Sequence, residues 1–220
     1  MSRESPVVTT QAVEWKRESE AIPYEFAVAE MESRVAQIHE AKAPEMVWLL
    51  EHPPLYTAGT SAQPQDLLTP ERFPVYASGR GGQYTYHGPG QRIAYVMLEL
   101  NGAAGREKDV RRYIQRLESW VIKVLAEFGV EGKTHPERVG VWVDNHGRAE
   151  KIAAIGVRIR HWVTYHGIAI NLSPNLEHFG GILPCGISDA GVCSLESLGR
   201  SFNPADFDQA LFYYFDQVFG

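Results

Sequence analysis

The tripeptide Pro184-Cys185-Gly186 sets a thiol in a constrained turn, where backbone N–H groups can point toward its sulfur. Two readings of Cys185 stand: a nucleophile, or a small buried hydrophobe, the commonest fate of an unpaired cysteine. Lys151 opens an otherwise apolar stretch, KIAAIGV. If that strand alternates without a bulge, Lys151 shares the face of Ala153, Ile155 and Val157, which should be buried, and lysine is seldom buried without a reason. Beside a thiol, an ammonium favours the thiolate and can carry a proton to a leaving group. At a strand end it simply snorkels to water. The spacing permits the pairing of Lys151 with Cys185 and does not derive it.

A third stretch, GRGGQYTYHGPGQ from Gly79 to Gln91, holds five glycines, so the backbone there is free to approach another group closely. A dinucleotide fingerprint would need glycine at position 84, where Tyr84 stands, and no phosphate-binding G-x-x-x-x-G-K-[ST] occurs. In an extended segment Tyr84 and Tyr86 project to one side, Thr85 and His87 to the other. An aromatic wall and a polar wall beside bare backbone suit a slender apolar substrate; a tight hairpin with incidental aromatics reads equally well. The eight histidines form no H-E-x-x-H, and His161 and His166, five apart, fall on opposite strand faces. No metal and no cofactor are expected.

The elements that must position these residues are legible from periodicity. Ile22 to Ala41 reads as a helix, with Phe26, Ala27, Met31, Val35 and Ile38 at helical spacing and Pro23 in its first turn. Residues 46–51 (MVWLLE) read as a buried strand, and five prolines between Pro53 and Pro74 as a long irregular loop whose two sides belong to one sheet. Arg92 to Leu100 is apolar on both alternating faces, as a central strand covered on both sides would be. A second helix spans about Lys108 to Phe128 and closes at Gly129. Val139 to Val143 turns at Asp144-Asn145-His146-Gly147 and returns through Lys151 toward Trp162, with Ala153, Ile155, Val157 and Ile159 on one face. Tyr165 to Leu172 is a further strand, and Pro204 to Phe219 a closing helix. The expected class is α/β of the α+β type: a mixed central sheet flanked by helices, one domain over residues 1–220, with 1–21 as an N-terminal segment.

Composition narrows the function classes. A net charge of −6 argues against general nucleic-acid binding. Nothing at the N-terminus resembles a signal peptide, no apolar run is long enough to cross a bilayer, and two cysteines, Cys185 and Cys193, are too few for a disulfide scaffold. A cytoplasmic protein without nucleic-acid or membrane partners is expected. Basic residues gather at Arg106, Lys108, Arg111, Arg112 and Arg116, and again at Arg158 and Arg160. They form either a solvated helix face and strand edge or a docking patch for an acidic protein.

Five segments in order, EHPPLYTAG (51–59), RGGQYTYHGPGQ (80–91), KIAAIGVRI (151–159), YHGIAINL (165–172) and PCGISDAGVCSLE (184–196), resemble the lipoyl(octanoyl) transferases over a span from about residue 22 to the C-terminus. The resemblance implies the fold of biotin and lipoate protein ligase catalytic domains. It implies transfer of an octanoyl or lipoyl group from acyl carrier protein, through a cysteine thioester, to a lysine on lipoyl domains of 2-oxoacid dehydrogenases and on the glycine cleavage H protein. By that resemblance Cys185 carries the acyl group and Lys151 lowers its pKa. The acyl chain then lies along Arg80, Gly81, Gly82, Gln83, Tyr84, Thr85, Tyr86 and His87, and against Ala154, Ile155 and Gly156 and Gly167, Ile168 and Ala169. One departure concerns Cys193, where the family generally has threonine: it is an inert small side chain, or a thiol able to pair with Cys185. An ATP-dependent ligase of the same fold, a silent acyl-binding protein and a cysteine hydrolase are the alternatives.

Overall fold

The computed structural model describes residues 13–102, 106–183 and 191–220. Alternating apolar side chains build a seven-stranded mixed sheet from β1 (Glu14–Ala21), β2 (Met46–Glu51), β6 (Gln91–Met97), β9 (Val163–Asn171), β8 (Arg148–Arg160), β10 (Gly191–Val192) and β7 (Val141–Asn145). Along the main path the order is β1-β2-β6-β9-β8-β10. Lys151 pairs with Trp142 of β7 and also with Val192 of β10, so these two strands flank β8 on opposite edges. Every residue of β6 and β9 is buried, as strands covered on both faces require.

The two faces of this sheet meet different partners. Val47, Leu49, Ala94, Val96, Ile168 and Ile170 pack under α2 (Val110–Glu127) and α3 (Pro204–Phe219). Met46, Trp48, Leu50, Ile93, Tyr95, Tyr165 and Ala169 face α1 (Tyr24–His39). Asp109 caps α2 by accepting the Arg112 N–H, and Asn203 caps α3 by accepting that of Ala205, each satisfying a helix-end donor. Pro23 lies just ahead of α1 rather than in its first turn.

Two expectations change. The proline-rich stretch is not simply irregular. It contains β3 (Leu55–Ala58) and leads into β4 (Val75–Ala77), which join β5 (Tyr84–His87) in a separate three-stranded sheet of order β4-β3-β5. Strands of three or four residues separated by prolines carry too short a periodic pattern to be seen from sequence. Residues 14–21 likewise form an edge strand, parallel to β2. Its largely exposed EWKRESEA has the charged composition by which edge strands avoid further pairing.

Candidate active site

The small sheet stands over the α1 face of the large one, and between them lies a cavity of about 330 Å³. Its floor comes from adjacent strands in register: Ala154 opposite Ala169, Gly156 opposite Gly167, and Ile93 opposite Ala169 from β6. Small residues there leave a smooth apolar track. At Gly156 the requirement is strict, since a Cβ would stand 2.8 Å from Cδ of Arg80.

Arg80 is buried and holds the glycine-rich wall together. Its guanidinium donates to the carbonyls of Thr57, Gly81 and Gln83, each at 2.9 Å, and to Oγ1 of Thr57. The Gly81 N–H in turn donates to the Val157 carbonyl, tying the wall to β8. Gly82, Gln83, Tyr84, Thr85 and His87 also line the cavity, as does Ile168. Tyr86 does not. Its ring packs with Tyr56, Phe73, His178 and Phe179, and its hydroxyl bonds Nδ1 of His178 at 2.7 Å. The alternation of β5 sends it to the far side of the small sheet.

Lys151 reaches the cavity through an irregularity in β8. Val141 pairs with Ala153 and Trp142 with Lys151, so Ile152 is an extra residue, a β-bulge. Ile152, Ala153, Ile155 and Val157 therefore pack with the helix-side core, while Lys151 joins Ala154 and Gly156 at the cavity, which Ile155 also lines. The unbulged alternation, which put Lys151 on the face of Ala153, is thus corrected. The lysine is buried, with Nζ 4.7 Å from the centroid of the Trp142 ring, within cation–π distance. Trp142 is held by its indole N–H to the Arg138 carbonyl at 3.1 Å. Gly140, at φ +120°, completes the slot: a Cβ there would lie 3.4 Å from Cε of Lys151 and 2.6 Å from the Ala153 carbonyl oxygen.

Cys185 lies outside the described residues, as does the rest of 184–190. On one side the Leu183 N–H donates to Asp66; on the other, Val192 pairs with Lys151 and the Cys193 N–H donates to the Lys151 carbonyl at 3.1 Å. Cys193 itself is fully buried under α2 and α3, and burial pushes its thiol up to about 12.

The far end of the cavity is aromatic and imidazole-rich, and sequence periodicity had pointed to none of it. Tyr24, Tyr95 and His166 line it, together with Ile93; Ser61, Glu137, Arg138 and Val139 line other parts of its wall. His166, at φ +57°, stacks on Tyr165 at 5.1 Å, so its ring departs from strict strand alternation. His52 donates from Nδ1 to the Ile22 carbonyl and receives the Tyr95 hydroxyl on Nε2 at 2.7 Å. Burial drives His52 down to about 4 and His166 to about 3. Burial first, then the neighbouring His52, hold His87 well below the usual imidazole range. All three rings are neutral at neutral pH. Among the described residues, no group of three His, Cys, Asp or Glu side chains is placed to hold a metal ion, and no helix is long and apolar enough to cross a membrane.

The lipoyl protein ligase A/B catalytic-domain family matches residues 23–216. The chain belongs to that family. It is 59% identical over 216 residues to an octanoyltransferase of Parvibaculum lavamentivorans, covering 96% of this chain and 95% of that protein. It is 58% identical over 209 residues to an octanoyltransferase of Paramagnetospirillum magneticum, covering 94% and 97%. A solved structure of a putative lipoate protein ligase from Thermoplasma acidophilum, with bound lipoic acid, superposes with a TM-score of 0.71 at 13% identity, over 94% of this chain and 86% of that one. The resemblance read from the five segments is borne out, and so is the α+β class. The octanoyltransferase relatives, matched at such identity over nearly the whole chain, make this an acyltransferase of protein lipoylation.

The basic residues of 106–116 divide by burial and pairing. Arg106 is buried and ion-paired to Glu45 at 2.5 Å, and Arg112 pairs with Glu107 at 2.8 Å. Arg111 and Arg112 sit on α2, across the large sheet from the cavity.

Proposed function

We propose that this chain, acting as one catalytic domain in the cytoplasm, moves an octanoyl group from acyl carrier protein to a lysine of lipoyl domains through a thioester on Cys185. The observation that carries the reading is a bulge-displaced Lys151 at one end of an apolar cavity, in register with the strand that follows the Cys185 segment. The neutral, narrow track of Ala154, Gly156, Gly167 and Ala169 suits an unbranched alkyl chain.

The steps balance as follows. The Cys185 thiolate attacks the donor thioester; a C–S bond forms, the bond to the carrier thiol breaks, and that thiol leaves with a proton from the Lys151 ammonium. The lipoyl-domain amine then attacks the Cys185 thioester. A C–N bond forms, the C–S bond breaks, and the amine's proton returns to Lys151. Exchange of one thioester for another is near balance, whereas amide formation draws the cycle forward, so no nucleotide is consumed. The glycine cleavage H protein and the lipoyl domains of 2-oxoacid dehydrogenases are the proposed acceptors.

Intact mass after incubation with octanoyl-acyl carrier protein, without ATP, tests this. One octanoyl adduct on wild type, absent from Cys185→Ala and discharged by apo-lipoyl domain, is expected. Turnover of free octanoate only with ATP would instead establish a ligase.

A further inference from the structure

His87 lies between two hydrogen-bonding ends of opposite kind. On one side the Arg80 guanidinium, which can only donate, gives Nη2–H and Nε–H to Oγ1 of Thr57 at 2.7 and 3.3 Å. The Thr57 hydroxyl stands 3.4 Å from Nε2 of His87. On the other side a backbone carbonyl, which can only accept, fixes the sequence of roles. The Cys193 carbonyl accepts from Nδ2 of Asn171 at 3.0 Å. Asn171 must then turn Oδ1 toward Gln91, which donates from Nε2 at 2.9 Å. Gln91 is left with Oε1 facing Nδ1 of His87 at 2.7 Å. His87 therefore carries its proton on Nδ1 and offers a lone pair at Nε2, where the Thr57 hydroxyl donates.

From this one-way relay we infer that Gln91 and Asn171 are positioning residues that lock His87 as a neutral cavity wall, so that it takes no part in acid–base exchange. The imidazolium would need Nε2 to donate as well, and Oγ1 of Thr57 already receives two guanidinium hydrogens. The charged and titratable groups facing His87 oppose a cation too: His52 from the turn after β2, with ring centroids 5.9 Å apart, Arg80 from the glycine-rich wall, and His166 from β9. Thr57, Gln91 and Asn171 are all buried, where hydrogen bonds between them are stronger than at a hydrated surface. The relay also runs from the cavity wall to the carbonyl of Cys193, whose own N–H is bonded to Lys151. That couples the wall's position to the strand that leads back from Cys185. Its relevance to acyl transfer rests on the function proposed above; the protonation state of His87 does not.

Long-range 1H–15N spectra of the histidine rings across about pH 5 to 8 decide the matter. His87 is identified by its through-space contacts to Thr57 and Gln91 and by its absence in His87→Asn. The expected wild-type result is one invariant neutral form, protonated at Nδ1. A His87 protonated at Nε2, or titrating in that range, would overturn the inference. Gln91→Glu supplies a carboxylate that cannot donate to Asn171, so His87 should become a cation. Octanoyl loading at saturating donor should then slow roughly tenfold and gain a pH dependence absent from wild type. A Gln91→Glu protein whose His87 stays neutral, with an unchanged loading profile, would overturn the positioning role. Should wild type load no octanoyl while its His87 spectrum is as expected, the functional reading fails and the tautomer assignment stands.

Discussion

Two side chains in sequence-adjacent segments, Cys185 and Cys193, have opposite expected reactivities, and burial is the reason for one of them. Cys193 is enclosed by the helix-side core, where the thiolate is desolvated and the pKa rises to about 12. Iodoacetamide at pH 8 is therefore expected to add one mass increment to the native protein, on Cys185, and two only after unfolding. Two increments on the native protein would contradict the placement of Cys193. Gly140 is the other decisive residue. At φ +120°, with an added Cβ meeting the Ala153 carbonyl oxygen at 2.6 Å, Gly140→Ala is expected to cost about 1–3 kcal/mol and to crowd Lys151. Octanoyl loading should fall at temperatures where the variant remains folded; an unchanged loading rate would mean the slot does not position the lysine.

At the scale of elements, charge pairs differ by burial rather than by number. Arg92 of β6 and Asp208 of α3 form a buried, two-point ion pair, and Arg17 of β1 adds a contact to the same carboxylate at 3.0 Å. One carboxylate thus joins a central strand, an edge strand and the last helix. Asp208→Ala leaves the Arg92 guanidinium buried without its counter-charge, and a loss of about 3–5 kcal/mol in urea unfolding is expected. The exposed Arg112–Glu107 pair is a control: Glu107→Gln should change stability by less than about 1 kcal/mol. Equal effects of the two substitutions would show that β6 and α3 are not held by this pair.

For the molecule as a whole, the buried imidazoles set an acid limit. His52 falls to about 4 and His166 to about 3, while in the unfolded chain each titrates near the ordinary histidine value. Folded pKa values below the unfolded ones mean that the unfolded chain binds more protons as pH falls. Stability is therefore full above about pH 6.5 and is lost as pH drops toward 4, by roughly 1–3 kcal/mol for each ring at pH 4. Melting temperatures across that range should decline, and His166→Gln should flatten the decline. A flat wild-type profile would mean the rings are hydrated.

The long periodic elements, the α+β class and the family were all legible in the residues themselves. Helices such as α2 and strands such as β6 carry a repeat long enough to outweigh local noise, and the five segments keep the family's order. Their glycines and small residues also told of a bare backbone around Tyr84 to His87. Three things needed the tertiary structure. The bulge at Ile152 is a matter of pairing with β7, and no one-strand pattern reveals that an extra residue turns Lys151 from the helix-packed face to the cavity. Alternation already separated Tyr86 from His87, but that His87 faces the cavity and Tyr86 the cluster with Tyr56 and Phe179 follows from β5 joining β3 in a second sheet. The proton on His87 is decided by a carbonyl more than a hundred residues away in the chain, through Asn171 and Gln91. Periodicity records which face a residue occupies within its own element; partners from distant strands determine what that face meets.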